Sequence, residues 1–165
     1  MSWISMASSS TPSTVTLPKK YHVFLSFRGE DTRFGFTSHL YDALSLKQIV
    51  TFIDYELAKG DDISPALLKS IQESMIAVVI FSKNYASSKW CLRELAEITK
   101  RKKLHELIII PVFYYVEPSD VRKQTGPFKD SFAKHENESQ EGVQEWREAF
   151  TEASNLSGWD YAGTR

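Results

Sequence analysis

Four short apolar runs rich in β-branched and aromatic residues, at 21–27, 50–54, 76–82 and 107–114, punctuate the chain and predict strands. The runs are continuous rather than alternating, which predicts burial on both faces of a sheet. Between them, residues 34–47, 63–74 and 89–103 read as helices. The first two space apolar side chains three or four apart, as in Leu40 and Leu44 or Leu67 and Ile71. Strand alternates with helix. Short connections in that order produce right-handed crossovers and a parallel sheet covered by helices on both sides.

Beyond the fourth strand, Pro118 and Ser119 open a short helix through Arg122, and Gly126-Pro127 interrupts before a further helix over 128–135. Residues 143–156 carry Val143, Trp146, Phe150 and Ala153 on one stripe, and 157–161 is a candidate fifth strand. No repeat of 20–50 residues is present, which excludes a solenoid.

At 165 residues and 42% hydrophobic composition, the chain suits one domain with a substantial core. Twenty basic against 21 acidic residues leave a net charge of −1, so no global field draws the protein to nucleic acid or an anionic membrane. The single cysteine, Cys91, cannot form an internal disulfide. No apolar run reaches the ~18 residues of a membrane span. Residues 1–18, rich in Ser, Thr and Pro and free of acids, read as a disordered leader, 19–161 as the domain and 162–165 as a tail. A cytoplasmic protein is expected, and the basic run from Lys100 to Lys103 leaves a nuclear location open.

In doubly wound sheets of flavodoxin-like order 2-1-3-4-5, the ligand crevice opens at the carboxyl ends of strands one and three. Those ends are 28–33 and 82–94, where the strongest polar clusters fall, while the loop 55–62, with Lys59-Gly60-Asp61-Asp62, is placed to act as a flap. Neither G-x-G-x-x-G nor the phosphate loop is present, which disfavours a Rossmann dehydrogenase or P-loop NTPase. A phosphoacceptor receiver domain needs an aspartate after strand three, where this chain has Ser82-Lys83-Asn84. The four histidines show no metal-ligand spacing, so no metal site is expected.

Glu94 follows Trp90 by one helical turn, and a carboxylate beside an aromatic plate suggests a sugar or nucleotide site. Such a carboxylate can stabilise the oxocarbenium-like charge of a breaking ribosyl bond, hold ribose hydroxyls, or act as nucleophile. The competing reading is a solvated helix residue. On an arc centred near Cys91, Leu92, Leu95 and Ile98, Glu94 lies about a quarter-turn from the buried centre, at about 100° per residue, which suits both. Trp90 belongs either to the core or to a ribose or base. Arg28 and Arg33 either order the loop by pairing with Glu30 and Asp31 or meet a pyrophosphate, with the ordering role favoured for Arg33.

The stretches Phe24-Leu25-Ser26-Phe27-Arg28-Gly29-Glu30-Asp31-Thr32-Arg33, Phe36-Thr37-Ser38-His39-Leu40, Trp90-Cys91-Leu92-Arg93-Glu94-Leu95 and Pro111-Val112-Phe113-Tyr114 resemble the Toll/interleukin-1 receptor (TIR) domain of plant immune receptors. The resemblance covers nearly all of residues 20–161 and implies an α/β, flavodoxin-like three-layer fold with a central parallel five-stranded sheet of order 2-1-3-4-5. It also implies hydrolysis of the nicotinamide–ribose bond of NAD+ or NADP+, giving nicotinamide and ADP-ribose or a cyclic isomer, with no tightly bound cofactor and no metal. By the same resemblance Glu94 is catalytic, and Phe27, Arg28, Gly29, Asp54, Lys59, Ser88 and Trp90 border the substrate. Residues 55–67 form the loop that remodels on assembly. Self-association is expected through Ser38 and His39 on one face and Gly126 and Lys129 on another.

The implied partners are the chain itself, other TIR domains and, through nucleotide products, lipase-like immune regulators. No membrane partner is expected. Nucleic acid stands as a further substrate that the neutral charge neither supports nor excludes. Two departures from the family pattern stand out. The chain stops at Arg165, ahead of a customary last helix, as a truncated product, a TIR-only protein or a fragment would. Lys59 stands where many relatives carry arginine. A non-catalytic adaptor or decoy, binding other TIR domains through Ser38 and His39, is the alternative, and a flavin-binding electron carrier follows from topology alone.

Overall fold

The computed structural model describes residues 18–54 and 63–162. Strand β1 (Tyr21–Ser26) lies between β2 (Thr51–Phe52) and β3 (Ser74–Phe81). β4 (Ile108–Tyr114) and β5 (Trp159–Tyr161) complete a parallel sheet of order β2-β1-β3-β4-β5. Register runs Val23 to Ile76, Val79 to Pro111 and Val112 to Trp159. The predicted topology is therefore observed, with the order reversing between β1 and β3.

Among the described residues the helices are α1 (Gly29–Thr32), α2 (Phe36–Leu46), α3 (Pro65–Gln72), α4 (Lys89–Lys103), α5 (Pro118–Lys123), α6 (Lys129–Glu138) and α7 (Val143–Ser154). Alternate strand residues feed two cores, as the pleat requires. Phe24, Ala77, Val79, Phe81, Ile109 and Phe113 enter the larger core with Leu67, Leu92, Leu95, Phe132 and Phe150 from the helices. Val23, Leu25, Val78, Ile80 and Val112 face the other way, against Phe36, Leu40 and Leu44 of α2. Ser26 follows Phe24 by two, so this polar residue points toward the α4 side.

Several boundaries differ from the sequence reading. The run 63–74 divides: α3 ends at Gln72, and Ser74 pairs with Tyr21 as the first residue of β3. Ser74 still donates its hydroxyl to Ser70 O at 2.7 Å, so the strand begins against the last helical turn. The run 50–54 shrinks to the two residues of β2, because Val50 O accepts from both His22 N and Val23 N and leaves the regular ladder. Residues 28–33, read as loop, contain α1. The helix expected over 128–135 is α6, preceded by a 3₁₀ turn at Gly126–Phe128. β5 reaches β4 through Gly158, where a Cβ would stand 2.0 Å from Pro111 O. Only a residue without a side chain fits there.

Candidate active site at the reversal of strand order

Helix α4 carries the candidate residues Trp90 and Glu94, and its start is fixed locally. Ser88 is extended and its Oγ accepts from Cys91 N at 3.2 Å, capping the first turn. Lys100, Arg101, Lys102 and Lys103 occupy the last turn, complementing the helix dipole. Glu94, one turn in, is only 4% exposed. The solvated-helix reading is thus overturned: the flank of the apolar arc is covered.

Around Glu94 stands a buried polar cluster. Ser26 Oγ and Tyr85 Oη lie 2.7 Å apart, and the Tyr85 hydroxyl also reaches Cys91 O at 3.3 Å. Cys91 Sγ donates to Phe27 O at 3.5 Å. Burial pushes the Glu94 carboxyl from 4.5 up to about 8, a hydrogen bond from Ser26 offsets part of this, and the charge of Asp54 adds to the rise. Burial and the Glu94 charge likewise push the Cys91 thiol up to about 12, against a hydrogen bond with Ser88 and the nearby Arg28 charge. Cys91 is therefore a neutral core thiol and not a nucleophile.

The facing wall is the β1–α1 connection. Asp31 accepts from the Ser82 hydroxyl, from Asn84 N at 3.0 Å and from Asn84 Nδ2 at 2.9 Å. One carboxylate therefore ties the loop after β1 to the loop after β3. Arg28 pairs with Glu30 at 3.3 Å, as the ordering reading expected, and its buried Nε has no acceptor among the described residues. The Arg33 guanidinium lies 5.7 Å from the Phe27 ring centroid, and a Cβ on Gly29 would come within 2.7 Å of Arg33 Nη2.

The structure thus gathers Phe27, Arg28, Gly29, Asp54, Ser88 and Glu94 at one end of the sheet. Trp90 is half-buried and packs against the larger core, the first of the two readings offered for it. Lys59 and the rest of 55–62 lie outside the described residues. Ser38 is half-buried and His39 exposed on α2, while Gly126, ahead of α6, and Lys129, its first residue, are exposed. Gly126 has φ +58°, and a Cβ there would meet Asp120 Oδ2 at 2.6 Å. A substitution at this position, expected to lie on a self-association face, therefore strains the turn itself.

Sequence reasoning did not assign Ser26, Tyr85, Ser82 or Asn84 to the site. The available signal was a serine inside a buried apolar run, since a buried hydroxyl needs a partner. Among the described residues, no group of three His, Cys, Asp or Glu side chains is arranged to hold a metal, and no helix is long and apolar enough to cross a membrane.

Comparison with known proteins now places the chain. The TIR domain family model matches residues 20–164. Disease resistance protein RPV1 of Vitis rotundifolia is 50% identical over 157 residues, covering 94% of this chain and 11% of its own length. TMV resistance protein N of Nicotiana glutinosa is also 50% identical over 157 residues, covering 93% of this chain and 13% of its own. The chain therefore spans only 11–13% of the length of these relatives. Among solved structures, the TIR domains of the activated Roq1 resistosome, which directly recognises the pathogen effector XopQ, match with a TM-score of 0.81 at 51% identity, over 88% of this chain and 90% of that one. This chain belongs to the TIR domain family, in the branch that includes plant disease resistance proteins.

Proposed function

We propose that this domain hydrolyses the nicotinamide–ribose bond of NAD+ or NADP+ as an assembly-gated step of plant immune signalling. One observation carries the reading: Glu94 is a buried carboxyl at the reversal of strand order, with its proton affinity raised to about 8. A carboxyl held that way costs stability as an anion and gains most from a cationic partner. The nicotinamide ring of NAD+ is such a cation.

With the ring seated beside Glu94, the ionised carboxylate is favoured. As the glycosidic C–N bond breaks, its electron pair leaves with nicotinamide, and positive charge develops on ribosyl C1′. The Glu94 carboxylate stabilises that charge in a site withdrawn from water, an effect worth roughly 10²–10³ in rate for one oriented group. Water then adds to C1′ and gives up a proton, forming ADP-ribose; attack by the adenine of the same molecule yields a cyclic isomer instead. Arg28 is suited to the pyrophosphate. Phe27 and Trp90 offer ring faces, and Ser88, Asp54, Gly29 and Lys59 complete the border. No resident cofactor enters.

Assembly enters through the relatives. The Roq1 TIR domains were observed in an activated resistosome, and we extend this arrangement to the present chain, with His39 and Lys129 as exposed members of two contact faces. Products acting on lipase-like immune regulators in the cytoplasm or nucleus complete the proposal. The test is nicotinamide release from NAD+ by wild type and Glu94→Ala across a wide range of protein concentration. Turnover that rises steeply with concentration and vanishes without Glu94 supports the reading. Association without nicotinamide release replaces it with the adaptor.

A further inference from the structure

Helix α6 meets the segment ahead of α4 along one of its faces. Ser131, His135 and Glu138, spaced four and three apart, share that face. Ser87 Oγ and Ser131 Oγ lie 3.2 Å apart, His135 Nε2 lies 2.7 Å from Ala86 O, and Lys89 Nζ lies 3.7 Å from Glu138 Oε2. The residues reached, Ala86, Ser87 and Lys89, flank Ser88, whose hydroxyl caps α4.

These contacts are unequal. The serine pair is exposed and the ion pair is long and partly exposed, so both contribute little. The histidine bond is buried at both ends: His135 is 4% exposed and Ala86 is fully covered. A carbonyl can only accept, so His135 Nε2 carries the hydrogen and donates it. Ala86 is the middle residue of the 3₁₀ turn Tyr85–Ser87. The backbone bonds of that turn run from Tyr85 N to Ser82 O, from Ser87 N to Asn84 O and from Ser88 N to Tyr85 O, which leaves the Ala86 carbonyl to the ring. A buried carbonyl deprived of its donor loses more than an exposed contact returns. The ring itself stands edge-on to Trp146 and Phe132, with centroids 5.5 and 6.5 Å away, and its buried Nδ1 has no hydrogen-bond partner among the described residues. Packing sets the ring plane, and Ala86 O receives its hydrogen.

We propose that His135 is a positioning residue for the candidate active site. By holding the Ala86 carbonyl it fixes the turn from which α4 starts, and with it the cap Ser88 and the first helical turns that carry Trp90 and Glu94. When Ala86 is released, Ser88 is free to leave Cys91 N, and the first amides of α4 lose their acceptor. His135 acts through the backbone of the turn.

The catalytic consequence rests on the hydrolase reading, whereas the positioning does not. The experiment compares the intact wild type with His135→Asn, His135→Gln and Glu138→Ala. The asparagine amide stands near the place of Nδ1 and falls short of Ala86 O, while the glutamine amide nitrogen stands at the level of Nε2 and can donate. Amide hydrogen exchange is read at Ser88, Cys91 and Leu92, against Val79 and Ile80 of β3, which report global opening. In His135→Asn the first group should accelerate about tenfold more than the second. His135→Gln and Glu138→Ala should stay within about threefold of wild type. Equal acceleration of both groups reduces His135 to a packing residue and overturns the proposal, as does an asparagine variant that behaves like the glutamine or Glu138→Ala variant. A measurement on wild type alone also decides: ¹⁵N NMR of the imidazole should find hydrogen on Nε2 of His135, and a bare Nε2 overturns the bond. Nicotinamide release is scored separately. In His135→Asn kcat should fall about tenfold or more and recover in His135→Gln, with the protein concentration of half-maximal activity unchanged. An unchanged kcat, or a shift in that concentration in its place, refutes the positioning role. Absence of release from wild type defeats the hydrolase reading and leaves the exchange result standing.

Discussion

Glu94 on α4 and Asp31 on the β1–α1 connection both lie close to Cys91 at one end of the sheet, and they differ in the donors each receives. Asp31 takes three hydrogen bonds, from Ser82 and twice from Asn84. Glu94, on α4, is buried, the charge of Asp54 opposes its ionisation, and its carboxyl holds its proton up to about pH 8. A carboxylate rich in donors fixes structure. One that is poor in donors and buried is costly as an anion and gains most from a cationic partner, the role proposed above for the nicotinamide ring.

Glu94→Gln breaks this comparison most forcefully. Turnover should fall at least about 10²–10³-fold, because the neutral amide cannot stabilise a developing cation. Stability should move the other way. The folded-state carboxyl binds its proton more tightly than the unfolded one, so the native state carries extra protons between 4.5 and about 8. The linked stability is complete below pH 4.5 and is lost as pH rises to about 8, a loss on the order of 5 kcal/mol at 1.36 kcal/mol per pH unit. Urea unfolding at pH 5 and pH 8.5 should therefore show wild type losing stability relative to Glu94→Gln. Parallel behaviour of the two proteins would mean that Glu94 is not held in a donor-poor site.

Asp31→Ala attacks the other wall. It strips acceptors from Ser82 and Asn84 at once, and leaving such donors unmet costs about 1–3 kcal/mol. Because α1 and the loop after β3 are then no longer tied together, KM for NAD+ should rise more than kcat falls. Asp31→Asn, which retains an acceptor oxygen, should recover part of both. Denaturation midpoints and steady-state kinetics on the three proteins check this. An unchanged KM would show that the tie serves stability alone.

Much of this was legible in the chain. The topology followed from periodicity, since continuous β-branched runs and intervening helical spacing admit few arrangements, and the order reversal then located the crevice. Helix α4 was bounded correctly because Ser88 supplies a cap and the basic run a terminus. The division at Ser74 was not legible, since Ile71 to Ile76 satisfies helical and strand patterns equally until Ser74 is seen pairing with Tyr21. Glu94 was found as a candidate, yet its burial was beyond local pattern, because what covers a helix flank arrives from outside the helix. Asp31 was expected to order the loop through a neighbouring arginine, but Ser82 and Asn84, its donors, lie more than 50 positions away. Long-range polar pairing leaves no period in a sequence.

The smallest expected effect concerns the exposed face ahead of α6, which is as open as the Glu94 site is closed. Gly126→Arg is the obvious way to obstruct it, but φ of +58° and the contact with Asp120 make that change strain the turn, so lost activity would not report association. Lys129→Glu is the cleaner probe. Lys129 is exposed and begins α6, where a carboxylate agrees better with the helix dipole than the lysine does. Stability should therefore stay within about 0.5 kcal/mol of wild type. If this face joins subunits, reversing its charge should move the concentration of half-maximal nicotinamide release upward by a few-fold and make it more sensitive to salt. Analytical ultracentrifugation alongside the activity titration separates the cases: a shift in both places an assembly contact at Lys129, whereas a shift in neither removes this face from the proposed assembly.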